Sequence, residues 1–149
     1  MSKIYVANIV YESLVDGYGL RDVLFLSGCN INCNNCHNKD FKDIAAGKER
    51  EVADLASFLR KQSVTKRLTI SGGEPLEQKE ALTELIGLLD GFDMGLYTGK
   101  ELNEIDLNLS CFSFVKTGRY IDKLRCYNKF YGSSNQSITI INNRKHIWR

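Results

Sequence analysis

Ser27-Gly28-Cys29-Asn30-Ile31-Asn32-Cys33-Asn34-Asn35-Cys36-His37-Asn38 places three thiols within eight residues, spaced C-x3-C-x2-C. The stretch follows Asp22-Val23-Leu24-Phe25-Leu26, a nearly all-apolar run of the kind that forms a strand buried on both faces. In parallel α/β sheets and barrels ligands bind at the carboxyl ends of strands, which is where this loop emerges. Three thiolates on one short loop can converge on a soft metal centre without a ligand from the rest of the fold. In a four-iron cube they leave one iron open, whereas a structural zinc site closes all four positions.

Spacing alone leaves other centres open. Cys29, Cys33, Cys36 and His37 suit a zinc knuckle, and Cys111 or Cys126 could complete a zinc site of four thiolates. A disulfide framework fits poorly with an odd count of five cysteines. The 149 residues read as one domain, 1–149, large enough to bury roughly two-thirds of its unfolded surface. Twenty basic residues against eighteen acidic ones give a formal charge of +2, which argues against a dominant nucleic-acid or membrane field. No run approaches the roughly eighteen apolar residues of a membrane span, and Met1-Ser2-Lys3 does not open a signal peptide. The expected setting is a reducing cytoplasm, where thiols persist.

Taken in order, Ile4 to Val10 reads as a first strand, and Asp16-Gly17-Tyr18-Gly19 as a turn. After the cysteine loop, Glu49 to Gln62 sets Val52, Leu55, Ala56 and Leu59 on one face, the pattern of an amphipathic helix. Arg67 to Ser71 is the next strand, followed by a helix from about Glu77 to Asp90. Met94 to Thr98 and Phe112 to Lys116 are further strands, with a brief helix between them at Lys100 to Ile105. Ser137 to Asn142 is a last strand that could pair outside the parallel set. Alternating strands and helices predict an α/β fold with right-handed crossovers and a mainly parallel sheet covered by helices. The chain is too short for a full eight-unit barrel.

Three other segments stand out. Ser71-Gly72-Gly73-Glu74-Pro75 directly follows a strand, and two glycines let backbone approach a ligand closely. An ordinary strand-to-helix turn has the same composition. Thr117-Gly118-Arg119-Tyr120 ends another strand, and Tyr131-Gly132-Ser133-Ser134-Asn135-Gln136 is physically a polar turn. His146, among basic residues, reads as a surface histidine, and Cys111 and Cys126 as core or surface thiols.

The order Asp16-Gly17-Tyr18-Gly19-Leu20-Arg21, apolar strand, then G-C-x3-C-x2-C-H-N resembles the glycyl-radical-enzyme activases of the radical S-adenosylmethionine class. Ser71 to Pro75 resembles their G-G-[ED] segment. The Asn35 position, Thr117 to Tyr120 (D-G-[KR]-[FY] with Thr in place of the acid) and the G-S-x-N-Q segment resemble the anaerobic ribonucleoside-triphosphate reductase activases. The resemblance runs from Asp16 to Gln136 and implies an incomplete (βα) barrel with a curved sheet, open on one side. It implies that Cys29, Cys33 and Cys36 are the metal ligands of one 4Fe–4S cluster and the centre of catalysis. It places Asn35, Cys36, His37, Gly72, Gly73, Glu74 and Arg119 beside S-adenosylmethionine. Gly73 carries the cofactor's amino group, and Arg119 pairs with its carboxylate or with the partner's backbone.

The implied reaction is reductive cleavage to methionine and a 5′-deoxyadenosyl radical, which takes a hydrogen from a glycine Cα of an anaerobic ribonucleotide reductase. A flavodoxin or ferredoxin would supply the electron. The alternatives are an activase of the pyruvate formate-lyase type and a non-catalytic zinc or iron–sulfur module.

Overall fold

A computed structural model describes residues 2–29, 43–127 and 131–141. Its strands are β1 (Lys3–Ser13), β2 (Arg21–Leu26), β3 (Lys48–Glu51), β4 (Arg67–Gly72), β5 (Asp93–Tyr97), β6 (Phe112–Thr117) and β7 (Ser137–Ile140). Its helices longer than one turn are α1 (Val52–Gln62) and α2 (Lys79–Leu88). The strands form one open sheet in the order β3-β1-β2-β4-β5-β6-β7.

The four middle strands, β2, β4, β5 and β6, run parallel. Both flanks are antiparallel: β1 against β2 and β3, and β7 against β6. The sheet is therefore mixed rather than mainly parallel. A parallel neighbour needs a crossover of about a dozen residues or more. Only seven residues separate β1 from β2, so the chain doubles back.

The expected helix from Glu49 begins later than the sequence suggests. Lys48–Glu51 is an edge strand in register with Lys3–Val6. Lys3 Nζ donates to Glu51 Oε1 at 2.9 Å and Tyr5 Oη to Glu49 Oε2 at 3.1 Å. Cross-strand pairing overrides the helical propensity of a Lys-Glu-Arg-Glu run, and its charges blunt the sheet edge. From Val52 onward the pattern holds, with Val52, Leu55, Ala56 and Leu59 buried on one face of α1.

Among the described residues the helices cover one face of the sheet. Leu24 and Leu26 of β2, Leu68 and Ile70 of β4, and Met94 and Leu96 of β5 join the helices in one core. Side chains alternate along a strand, so the intervening residues face the other way. On that helix-free face they form rows. Val23, Thr69, Gly95 and Phe114 are register partners across β2, β4, β5 and β6. One step toward the carboxyl ends lie Phe25 beside Ser71 and Tyr97 beside Lys116.

The segment 14–20 lies across the first of these rows. Thr69 Oγ1 donates to the Asp16 carbonyl at 2.7 Å, and the Tyr18 ring meets Phe114 edge-on at 5.1 Å between centroids. Gly17, at φ +122°, passes so close that a Cβ there would lie 2.7 Å from Phe114 Cζ. Below it the fully buried Arg21 donates to the carbonyls of Tyr18 at 2.8 Å and Asp93 at 2.8 Å. The D-G-x-G-x-R segment thus seals the lower part of the helix-free face. Among the described residues the carboxyl-terminal end is left open.

Candidate active site

Because β2, β4, β5 and β6 are parallel, the segments that follow them gather at one end of the sheet. Backbone hydrogen bonds stitch those segments together. Gly73 N donates to the Leu26 carbonyl at 2.9 Å and Glu74 N to the Gly28 carbonyl at 2.8 Å, so the glycine segment grips the root of the cysteine loop. Farther along, Thr98 N donates to the Lys116 carbonyl and Gly118 N to the Lys100 carbonyl, both at 2.9 Å.

The middle link is Glu74. Its fully buried carboxylate accepts from Leu76 N at 3.0 Å, Thr98 Oγ1 at 2.8 Å and Gly99 N at 2.7 Å. Burial outweighs these donors and pushes the Glu74 carboxyl above its ordinary value. With its oxygens so engaged, this side chain ties the segment after β4 to the segment after β5. The closest backbone approach belongs to Gly72, at φ +117°, where a Cβ would lie 2.1 Å from the Leu26 carbonyl oxygen. That neighbour is strand β2. Gly73 itself is half-buried at the rim.

Cys29 follows β2 by two residues and is half-buried. Cys33, Cys36, Asn35 and His37 lie outside the described residues. The described flanks of that stretch meet, since Ser27 Oγ donates to the Ile44 carbonyl at 2.8 Å. Gln78 anchors the same root, with Nε2 donating at 2.9 Å to the carbonyls of both Tyr5 and Ser27. Cys111 directly precedes β6 and therefore sits at the opposite end of the sheet from Cys29. A six-residue strand spans roughly 20 Å, too far for both thiols to share one zinc. The Cys111 thiol is pushed up by burial.

Arg119 is exposed at the rim after β6, and among the described residues its guanidinium has no hydrogen bond or ion pair. Its backbone is held from the far end of the chain. Asn135 Nδ2 donates to the Arg119 carbonyl and Gln136 Nε2 to the Gly118 carbonyl, both at 2.9 Å. Gln136 Oε1 accepts from Gly132 N at 2.9 Å and Ser133 N at 3.3 Å. The G-S-S-N-Q segment is thus a buttress for the turn at 118–119.

Two residues that sequence reasoning passed over form the floor of this open end. Lys116 Nζ sits 3.8 Å from the centroid of the Tyr97 ring, and the Tyr97 hydroxyl is buried with no partner among the described residues. Burial pushes the Lys116 ammonium down to about 8, with Asp16 opposing the shift. Burial pushes the Tyr97 hydroxyl well above the usual phenol range. The signal was present in the sequence: Lys116 is the one charged residue of the strand Phe112–Thr117.

An open parallel-strand end carrying Cys29, a glycine segment and polar groups unmatched among the described residues is a candidate cofactor site. Comparison with known proteins agrees. The family model for the 4Fe–4S single cluster domain matches residues 15–139, and the chain belongs to that family. The chain is similar to the anaerobic ribonucleoside-triphosphate reductase-activating protein of Enterobacteria phage T4, 30% identical over 147 residues, 91% of this chain and 92% of that protein. It is also similar to the pyruvate formate-lyase-activating enzymes of Clostridium pasteurianum and Listeria monocytogenes. The first is 39% identical over 98 residues, 62% of this chain and 40% of that enzyme. The second is 32% identical over 138 residues, 89% of this chain and 52% of that enzyme. The chain spans about half the length of these two enzymes. Among the described residues no helix is long and apolar enough to cross a membrane.

Proposed function

We propose that the chain is a radical S-adenosylmethionine activase that installs a glycyl radical on an anaerobic ribonucleoside-triphosphate reductase. The observation that carries this reading is the stitched rim, in which Gly73 N and Glu74 N hold the root of the Cys29 loop against the glycine segment. Cys29, Cys33 and Cys36 would hold one 4Fe–4S cluster in a single domain. The open sheet with helices on one face would serve as an incomplete radical S-adenosylmethionine barrel.

The residues present fit the cofactor, because the Tyr97 hydroxyl and the Lys116 ammonium offer polar groups that no other described residue uses for a hydrogen bond or ion pair. When bound, cluster and S-adenosylmethionine supply a reductive cleavage whose carbon radical can take a hydrogen atom from a glycine Cα. Gly72 keeps the glycine segment flush with β2, and Glu74 fixes the spacing between the segments after β4 and β5. The 14–20 segment closes the lower face against water.

The reductase is favoured over pyruvate formate-lyase as partner because the match to the phage T4 reductase-activating protein runs nearly end to end in both chains. A cytoplasmic flavodoxin or ferredoxin would deliver the electron. Anaerobic reconstitution tests the reading. Four irons and four sulfides per chain, with 5′-deoxyadenosine released from S-adenosylmethionine on reduction, are expected. A colourless protein holding one zinc would overturn it. The same holds for a cluster that leaves S-adenosylmethionine intact.

A further inference from the structure

Tyr97 and Lys116 are register partners on adjacent parallel strands, and both face the open end. Tyr97 is 9% exposed, yet its hydroxyl finds no acceptor or donor among the described residues. Lys116 makes no ion pair or hydrogen bond there either; its contact is the Tyr97 ring. Among the described residues the charge acting on Lys116 is Asp16 of the 14–20 segment, whose Oδ2 already accepts from Ser13 Oγ at 2.6 Å, while Asp16, Arg21 and Tyr18 act on Tyr97. From β7 the residue opposite Lys116 is the uncharged Ile138.

A half-buried ammonium with no counter-ion among the described residues, beside a buried phenol whose proton is likewise unpartnered there, presents two donors to one acceptor group. A carboxylate matches that pair, since its two oxygens accept two donors and its charge offsets the cost of burying the ammonium. Glu74, the buried acid of the rim, does not compete, because its oxygens are taken by Leu76, Thr98 and Gly99. S-adenosylmethionine carries one anionic group, the carboxylate of its methionine end.

We propose that Lys116 and Tyr97 form the seat of the S-adenosylmethionine carboxylate. The proposal rests on the activase reading and moves the role first expected of Arg119 to Lys116. Arg119 stays on the rim, exposed toward whatever polypeptide docks there. Seating the carboxylate restores the Lys116 charge, so binding takes up a proton wherever the ligand-free amine is neutral. With a starting value of about 8, uptake is about three-quarters of a proton at pH 8.5 and about a tenth at pH 7.

The test is anaerobic isothermal titration of the cluster-loaded chain with S-adenosylmethionine and with decarboxylated S-adenosylmethionine, in buffers of different ionisation enthalpy. Lys116→Met should weaken S-adenosylmethionine roughly ten- to a hundredfold and leave the decarboxylated ligand within about threefold. Tyr97→Phe should act in the same direction by roughly three- to tenfold, and Lys116→Arg should restore part of the loss. Proton uptake at pH 8.5 should vanish in Lys116→Met. Equal weakening of both ligands, or no weakening, overturns the seat and leaves the activase reading standing. Absence of proton uptake in the parent at pH 8.5 does the same and needs no variant to fold. Failure of the parent to bind S-adenosylmethionine at all overturns both.

Discussion

Replacing Glu74 by Ala removes the acceptor for three donors, Leu76 N, Thr98 Oγ1 and Gly99 N, at 2.7–3.0 Å. A buried donor left unsatisfied costs about 1–3 kcal/mol. The cavity beside three polar groups is a fit place for a water, which recovers part of that loss. The net expectation is about 3 kcal/mol, or about 6–12 °C in Tm for a chain of this size. Glu74→Gln keeps one acceptor oxygen and the shape, and should cost about half as much.

The two variants also differ in their pH dependence. Burial raises the Glu74 carboxyl above its ordinary 4.5, so the folded chain holds this proton more tightly than the unfolded one. The group's contribution is therefore fully present below pH 4.5 and is lost as pH rises through the folded value. Glu74→Gln cannot titrate, so its stability relative to the parent should improve as pH rises through that window. Anaerobic thermal melts and urea titrations across pH 4.5–7.5, with S-adenosylmethionine binding at neutral pH, measure all of this. An Ala variant that melts within about 2 °C of the parent and binds cofactor unchanged would refute the role of Glu74 as a tie between two segments.

Arg21→Met leaves the Asp93 carboxylate buried beside an apolar side chain and should cost about 3–5 kcal/mol, with Asp93→Asn recovering part of it; urea unfolding checks both. Gln136→Ala frees the Gly118 carbonyl and the Gly132 and Ser133 amides, and should cost about 2 kcal/mol. Hydrogen exchange at 118–120 should speed up in that variant while exchange in β4 stays unchanged.

Much of the scaffold is legible in the sequence because its signals are local. The apolar runs Asp22–Leu26 and Phe112–Val115 read as buried strands, and the spacing of Val52, Leu55, Ala56 and Leu59 reads as a helix face. What was misread depends on distant partners. Lys48–Glu51 is a strand only because Lys3–Val6 lies beside it, and strand direction at the flanks follows from connection length. The site divides in the same way. Cys29 and the glycine pair announce themselves, but which glycine is sterically constrained depends on the neighbouring β2 backbone. Glu74 reads in the sequence as part of a cofactor segment, and the structure adds its hydrogen bonds to Thr98 and Gly99. Lys116 shows in the sequence as the one charge of its strand, and the register with Tyr97 puts it beside that ring. Asn135 and Gln136 read as turn residues until their amides are seen holding Gly118 and Arg119 from sixteen and more residues away.

Electron paramagnetic resonance tests the central assignment most directly. The cluster-loaded chain is mixed anaerobically with an anaerobic ribonucleoside-triphosphate reductase, S-adenosylmethionine and a reductant. The expected result is a doublet from a glycine Cα radical on the reductase, absent with Cys36→Ala and retained with Cys111→Ala and Cys126→Ala. A silent reductase beside a pyruvate formate-lyase that acquires the doublet would contradict the partner. Silence in both, with the cluster intact, would contradict the activase itself.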